Sequence, residues 1–374
     1  MEKKEEKKQE RLVSLDALRG FDMLWIAGGE SLMVALAALT GWPALQWAAG
    51  QMEHVAWEGF RFYDNIFPLF LFIAGISMPF SILKRKQRGE DMRKIYLHLF
   101  QRLFLLILLG LIYNGIFRLN FEHQRYASVL ARIGIAWFFA AVIVLNTSIR
   151  GQVLWFFGIL LAYWAVMKLV PVPGFGAGIL TPEGNLSAFI DQKFLPGRLC
   201  CYEFGDNEGI LSTFPAICTA LMGALTGHLL ISKNNKLNGL KKALIILAAG
   251  VVSMAVAKLW SLNFPIIKNL WTSSFVLFAG GLSLLMFGTF YLIIDVWGFK
   301  KWTFPFVVIG MNSITIYLLN SGIIDFEQMG KYFFGGLANH FSELVQPVVL
   351  ISGIILCMWI FLYILYRNKI FLKV

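Results

Sequence analysis

The sequence predicts an all-α polytopic membrane protein of about ten transmembrane helices with both termini in the cytoplasm, and three observations predict it. Hydrophobic residues make up 58% of the chain against 15% charged, and its 34 phenylalanines outnumber the 22 Asp and Glu residues together. Apolar runs of spanning length recur from end to end. Basic residues crowd the connections that successive crossings place on one side.

A water-soluble fold of 374 residues has no use for so much apolar surface. A bilayer accepts it, provided the backbone is satisfied within helices. Crossing a hydrocarbon core of about 30 Å takes roughly 20 residues. The runs at 15–39, 62–82, 97–117, 129–146, 152–170, 211–231, 240–259, 270–294, 302–320 and 345–365 meet that requirement. Segment 323–337 is apolar but broken by Gly and polar residues, which suits a short re-entrant or interfacial piece. Residues 1–14 read as a charged cytoplasmic tail, 15–365 as one transmembrane domain, and 366–374 as a second cytoplasmic tail. The apolar run behind the first tail is too long for a cleaved signal and has no small-residue cleavage site after it, so it reads as a retained helix.

Charge sets the orientation. Lys3, Lys4, Lys7, Lys8, Arg11, the cluster 84–94, Arg150, Lys233, Lys236, Lys241, Lys242, Lys300, Lys301, Arg367, Lys369 and Lys373 all fall on one side. The longer opposite connections hold only Arg61, Arg118, Arg125, Lys193, Arg198, Lys258, Lys268 and Lys331. That bias follows the positive-inside rule. The net charge of +11 is therefore a topology signal, and its dispersal over short loops argues against a nucleic-acid partner. The cluster 84–94 is placed to meet anionic lipid headgroups.

Cys200 and Cys201 are adjacent in a long external loop, where free, inert thiols are expected; Cys218 and Cys357 fall within helices, and no metal spacing appears. That loop, 171–210, is rich in Pro and Gly, with AFIDQKFL as a short amphipathic turn. Loops of this length usually serve function, and with 40–61 and 321–344 it is placed to roof a site at the outer face.

Ionisable groups inside a bilayer are costly and need a partner or a task. Asp16 and Arg19, spaced i,i+3, either lock the first helix at the interface or leave Arg19 to bind a phosphate or carboxylate; Asp22 is an alternative partner. The densest cluster, MEHVAWEGFRFYDNIFPLFLFIAG (52–75), holds His54, Glu58, Arg61, Asp64 and Asn65. If 54–61 is helical, Glu58 shares a face with His54 and can orient its imidazole, the usual group for moving a proton. Without chemistry, the same residues are an interfacial histidine and acid. Arg132 reads equally as site residue or ion-pair member. His98 and Arg102 read as anchors, and His123, His228 and His340 as peripheral. Asp295 reads as a cap or a salt bridge to Lys300 and Lys301, and Asn312 as an interhelical amide. Walker, zinc-protease and dinucleotide motifs are absent.

Seven ordered blocks resemble the heparan-alpha-glucosaminide N-acetyltransferase family of membrane enzymes. They are RLVSLDALRGFDM (11–23), HVAWEGFRFYDNIFPLFLFIAG (54–75), VLARIGIAWFF (129–139), GILSTFPAI (209–217), KNLWTSSFV (268–276), YLIIDV (291–296) and PFVVIGMNSITIY (305–317). The family's H-x-x-W-x-G histidine falls on His54, its L-Q-R arginine on Arg132 and its G-M-N-S-I asparagine on Asn312. The chain departs from it at Ala131, where the family has glutamine, and at Glu58, where the human enzyme has asparagine. The resemblance implies a bacterial inner-membrane acetyltransferase that moves acetyl from acetyl-CoA to the amine of a glucosamine-like sugar or glycan, with a homodimer as the implied assembly. It implies His54 as general base or transient acetyl carrier, with Asp64 in the same block; from the residues themselves, Glu58 is the further catalytic candidate and Asn312 the candidate oxyanion donor. Arg19, Arg132, Lys84 and Lys300 are the candidates for the CoA phosphates. The competing reading is a transporter of a small sugar or anion lined by the same polar residues, although no inverted repeat is evident.

Overall fold

The computed structural model describes residues 12–234 and 236–372, so Lys3, Lys4, Lys7, Lys8, Arg11 and Lys373 lie outside the described residues. The fold is all-α. Nine helices among the described residues are long and apolar enough to cross a membrane. In chain order the elements are α1 (Val13–Thr40), α2 (Pro43–Gly50), α3 (Phe62–Gln87), α4 (Met92–Tyr113), α5 (Val129–Asn146) and α6 (Ile149–Leu169). Next come α7 (Leu186–Phe194), α8 (Thr213–Ile231), α9 (Gly239–Ser261) and α10 (Ser273–Val296). The last are α11 (Phe304–Met311), α12 (Ser313–Leu318), α13 (Phe326–Ala338) and α14 (Gln346–Arg367). This architecture supports a multi-pass membrane location.

The predicted spans recur with small shifts, apart from 302–320. There the chain breaks at Asn312, whose backbone (φ −119°, ψ 24°) ends α11 before α12 begins. The apolar run is long enough to span, but the chain folds it as two short helices. Segment 323–337 forms the short amphipathic α13, packed on α14. A second interruption lies in α1, where a π-turn covers Trp25–Gly29 and Gly28 takes φ 110°, a conformation open to glycine. The carbonyl of Ile26 there accepts a hydrogen bond from Asn320 Nδ2 at 3.0 Å, which gives one carbonyl at the kink a partner.

Where helices cross, glycine sets the distance. α3 meets α8 so closely that a β-carbon added at Gly223 would sit 2.1 Å from the Phe72 carbonyl oxygen, and one at Gly75 2.1 Å from that of Ala220. α1 meets α11 in the same way: a β-carbon at Gly310 would lie 2.0 Å from the Asp16 carbonyl oxygen. Small residues at such crossings let backbones pack where lipid gives no hydrophobic drive. The buried core runs through Leu18, Phe72, Trp137, Phe275 and Phe287, while Phe104, Leu154, Leu161, Val252 and Leu259 face outward.

Residues 171–210 form a tied structure. The two-residue strands β1 (Pro171–Val172) and β2 (Gly176–Ala177) pair, as do β3 (Cys201–Tyr202) and β4 (Gly205–Asp206). Between them α7 starts on an Asn185 cap, whose side chain accepts from the Ala188 N–H at 2.7 Å. Cys200 and Cys201 are joined as a disulfide, which corrects the expectation of free thiols.

Gly223→Ala should lower the melting temperature of the purified protein by several degrees, since overpacking costs about 1–3 kcal/mol. Gly158→Ala, where an added β-carbon meets nothing within 4 Å, should leave it unchanged.

Candidate active site

Residues 53–61 are not helical, which corrects the premise that aligned His54 with Glu58. The segment runs extended instead. Glu58 bridges to Ile267, and the Gly59 N–H donates to the Ile266 carbonyl at 2.9 Å. This pairing, not a helix face, decides who meets His54. It draws the turn between α9 and α10 over the histidine and so delivers Lys268.

Asp64 lies in the first turn of α3 and is 1% exposed. Its Oδ1 is 2.8 Å from His54 Nδ1 and 3.4 Å from Lys268 Nζ. Its Oδ2 accepts from the Arg61 N–H at 2.9 Å. Lys268 Nζ stands 2.9 Å from His54 Nδ1 and 3.1 Å from Nε2. Near-equal reach to both ring nitrogens places the ammonium over the ring face, off either in-plane axis. The in-plane partner of Nδ1 is therefore the Asp64 carboxylate, to which Nδ1–H donates. That arrangement leaves the lone pair of Nε2 available. Tyr63 packs its ring 4.9 Å from the imidazole. Burial pushes the Lys268 ammonium below its ordinary pKa, with the Asp64 carboxylate opposing the shift.

His54 and Lys268 line a cavity of about 350 Å³. Its mouth is polar, formed with Arg125, Cys201, Asn207 and Glu208, and its depth is apolar, reaching Met23, Ile26, Phe67, Phe70, Ile133 and Ile314. The two interrupted helices contribute at the bottom: Ile26 stands at the α1 kink, and Ile314 follows the Asn312 break. Tyr113 and Tyr317 stack at 4.7 Å in the wall.

The loop 171–210 supplies the roof through a buried ionic knot. Arg125 grips Asp206 through two bonds of 2.9 and 2.6 Å and also pairs with Glu208. Burial works against the Arg125 charge, but Asp206 and Glu208 outweigh it and hold the guanidinium above its ordinary range. Asp191 is buried and accepts from the Ile210 N–H at 2.8 Å. Burial raises its pKa to about 6, against the hydrogen bonds it receives.

Among the other predicted residues, Arg132 is 1% exposed, close to the roof. It donates to Gly209 O at 3.3 Å and to Ser212, with Trp271 under it at 5.1 Å. Trp271 holds a left-handed φ of 50°, a conformation rare for a bulky side chain. Asn312 is buried, with Oδ1 lacking a partner; it does not line the cavity, although Ile314 and Tyr317 do. Arg19 pairs with Asp16 at 3.5 Å, as its spacing predicts, and Asp22 is fully buried with neither carboxyl oxygen partnered. Lys84 lies at the far end of α3 from Asp64, twenty residues or about 30 Å along a helix. Lys300 is exposed beyond α10. Asp295 accepts from the Ser14 N–H at 3.2 Å and so satisfies the start of α1. Glu58 is exposed, and its backbone forms the bridge to Ile267. Lys268 escaped the sequence reading, and its one signal was its place in the KNLWTSSFV block.

No family model matches the chain. It is similar to two curated proteins named heparan-alpha-glucosaminide N-acetyltransferase: 27% identical to that of Mus musculus and 28% to that of Homo sapiens. Each match covers 86% of this chain and 56% of the relative, so the chain spans about half the length of these proteins. The similarity is a distant, family-level relationship.

The raised Asp191 gives a pH prediction. A carboxyl whose folded pKa lies above its unfolded value of 3.8 stabilises the fold at low pH and loses that contribution as pH rises through about 6. Melting temperatures measured from pH 4 to pH 7 should therefore fall less steeply in Asp191→Asn than in the parent protein.

Proposed function

We propose that this chain is a membrane-embedded acetyltransferase that moves acetyl from acetyl-CoA to the amine of a glucosamine-like sugar or envelope glycan. The observation that carries the reading is the Asp64–His54 pair, held beneath Lys268 at the mouth of a cavity with an apolar interior. The distant similarity to proteins named heparan-alpha-glucosaminide N-acetyltransferase supports the reaction class.

The acceptor amine attacks the thioester carbonyl as Nε2 of His54 takes its proton. The C–N bond forms, the C–S bond breaks, and the proton passes to the departing thiolate. Asp64 fixes the tautomer and compensates the imidazolium that forms. Lys268 is the nearest cation for the negative charge that develops on the carbonyl oxygen. In the stepwise variant the Nε2 lone pair itself attacks the thioester carbonyl and expels the thiolate. The amine then attacks the acetyl-imidazole, the bond from Nε2 to the acetyl carbon breaks, and the amine's proton passes by way of Nε2 to the thiolate.

Acetyl-CoA must reach His54 with its phosphates near basic groups. A stripe of α1 favours an approach from the opposite end of the bundle. Arg19, Asp22 and Trp25 follow one another at three-residue steps, and both carboxyl oxygens of Asp22 and Nε1 of Trp25 are buried without partners. Arg102 adds a buried, unpartnered Nε near Arg19. We place the pantetheine arm along this stripe and the phosphates toward Arg19, Lys84 and Lys300. Arg132, beneath the roof, falls outside that path.

The test is transfer of radiolabelled acetyl from acetyl-CoA to glucosamine by the purified protein. His54→Ala should cut the rate by roughly 10²–10⁴-fold, the usual worth of a positioned base. Asp64→Asn should lower kcat more than it raises KM. A folded protein that binds acetyl-CoA but transfers nothing to any amino sugar would refute the reading. Label retained on wild type but not on His54→Ala would identify the stepwise route.

A further inference from the structure

The bundle holds a second cavity, of about 400 Å³, on the other side of α5. Val129, Leu130 and Ile133 face the His54 cavity, while Ala131, Arg132 and Ile135 face this one. Its walls come from α4, α5, α8 and the roof, and they are apolar: Ile107, Ile135, Phe139, Phe214 and Ile217. Phe139 and Phe214 are also exposed on the flank of the bundle, 49% and 54%, so the cavity opens laterally, toward lipid in a membrane.

One polar feature breaks the apolar lining. Arg132 is 1% exposed, and its Nε and Nη1 have no hydrogen-bond partner. A buried guanidinium with free donors is costly unless an acceptor meets it. Three other polar groups of the lining are engaged. Ser128 caps α5, Thr213 donates to the Gly209 carbonyl, and Glu208 pairs with Arg125. Glu208 lines both cavities, so they adjoin at the roof.

We propose that this cavity seats the tail of an amphiphilic acceptor, an amine-bearing sugar on a hydrocarbon chain, which enters from the membrane and presents its amine to His54. The proposal rests on the acetyltransferase reading and names the form in which that acceptor arrives. The apolar walls take the chain, and the free donors of Arg132 take sugar or glycosidic oxygens. The acetyltransferase reading decides the headgroup: the acceptor must bring an amine, and Glu208, which lines both cavities, is a carboxylate at their junction that an ammonium can meet.

The test is binding of dodecyl 2-amino-2-deoxyglucoside to the full chain in nanodiscs, with the neutral dodecyl glucoside as competitor. The amine should bind at least about tenfold tighter than the neutral glycoside, equivalent to about 1.4 kcal/mol. Ile135→Trp, which fills the cavity, should weaken amine binding by about tenfold, and Phe214→Ala, which trims the exposed rim, by a smaller factor. Equal affinity for the two glycosides, or affinity unchanged in both folded cavity variants, overturns the proposal. Transfer to free glucosamine without amphiphile binding would sink this inference and leave the enzymatic reading standing. Binding without transfer to any amine would overturn the enzymatic reading and, with it, the acceptor role proposed for the amphiphile.

Discussion

The site depends on one buried carboxylate whose oxygens are fully committed. Asp64 gives one oxygen to His54 and Lys268 and the other to the Arg61 N–H. A carboxylate 1% exposed is tolerable only with such partners, because an unpaired charge at that depth costs several kcal/mol. The demand runs both ways. Asp64 requires a donor and a cation, and those requirements pin the extended segment 53–61 and the α9–α10 turn against the head of α3. His54 is half-exposed at the surface of this arrangement, yet its ring orientation is set from beneath.

Everything around the carboxylate keeps that geometry while leaving room for a reactant. Glycine crossings bring α3 and α8 to backbone contact and fix where α3 begins. Two interrupted helices, α1 at Gly28 and α11–α12 at Asn312, open the floor of the cavity, and the Asn320 amide repairs the kink in α1. The roof is held by charge. Arg125, in the connection between α4 and α5, ties down Asp206 and Glu208 of loop 171–210, and β3 and β4 hold Cys201 and Asp206 in register. Scaffold and roof thus follow different physics, packing below and ion pairing above.

Most of the scaffold was legible in the sequence because a bilayer imposes length and hydropathy on every span. The run 129–146 coincides with α5. The interruption at Asn312 was hidden, since the apolar run continues through it and composition does not report a broken backbone. At the site, His54 and Asp64 stood out as ionisable groups at the mouth of an apolar run. Their partnership did not, because i,i+4 reasoning holds only on a helix and the backbone at 53–61 is extended. Glu58 was selected by that spacing, whose helical premise the backbone at 53–61 does not meet. Lys268 lies 214 residues from His54, and the bridge of Glu58 to Ile267 that carries it there has no local signature. Adjacent charges such as Asp16 and Arg19 were readable because both partners share one helix.

The central claim is that Asp64 holds Nδ1 of His54 and leaves Nε2 to the cavity. The most direct measurement is the ¹⁵N NMR spectrum of the His54 ring in protein whose other histidines, His98, His123, His228 and His340, are replaced by glutamine. The account predicts that the neutral ring carries its proton on Nδ1, and that Asp64→Asn shifts the tautomer balance. A neutral ring protonated on Nε2 in the parent protein would contradict it, because the nitrogen facing the cavity would then have no lone pair with which to take a proton.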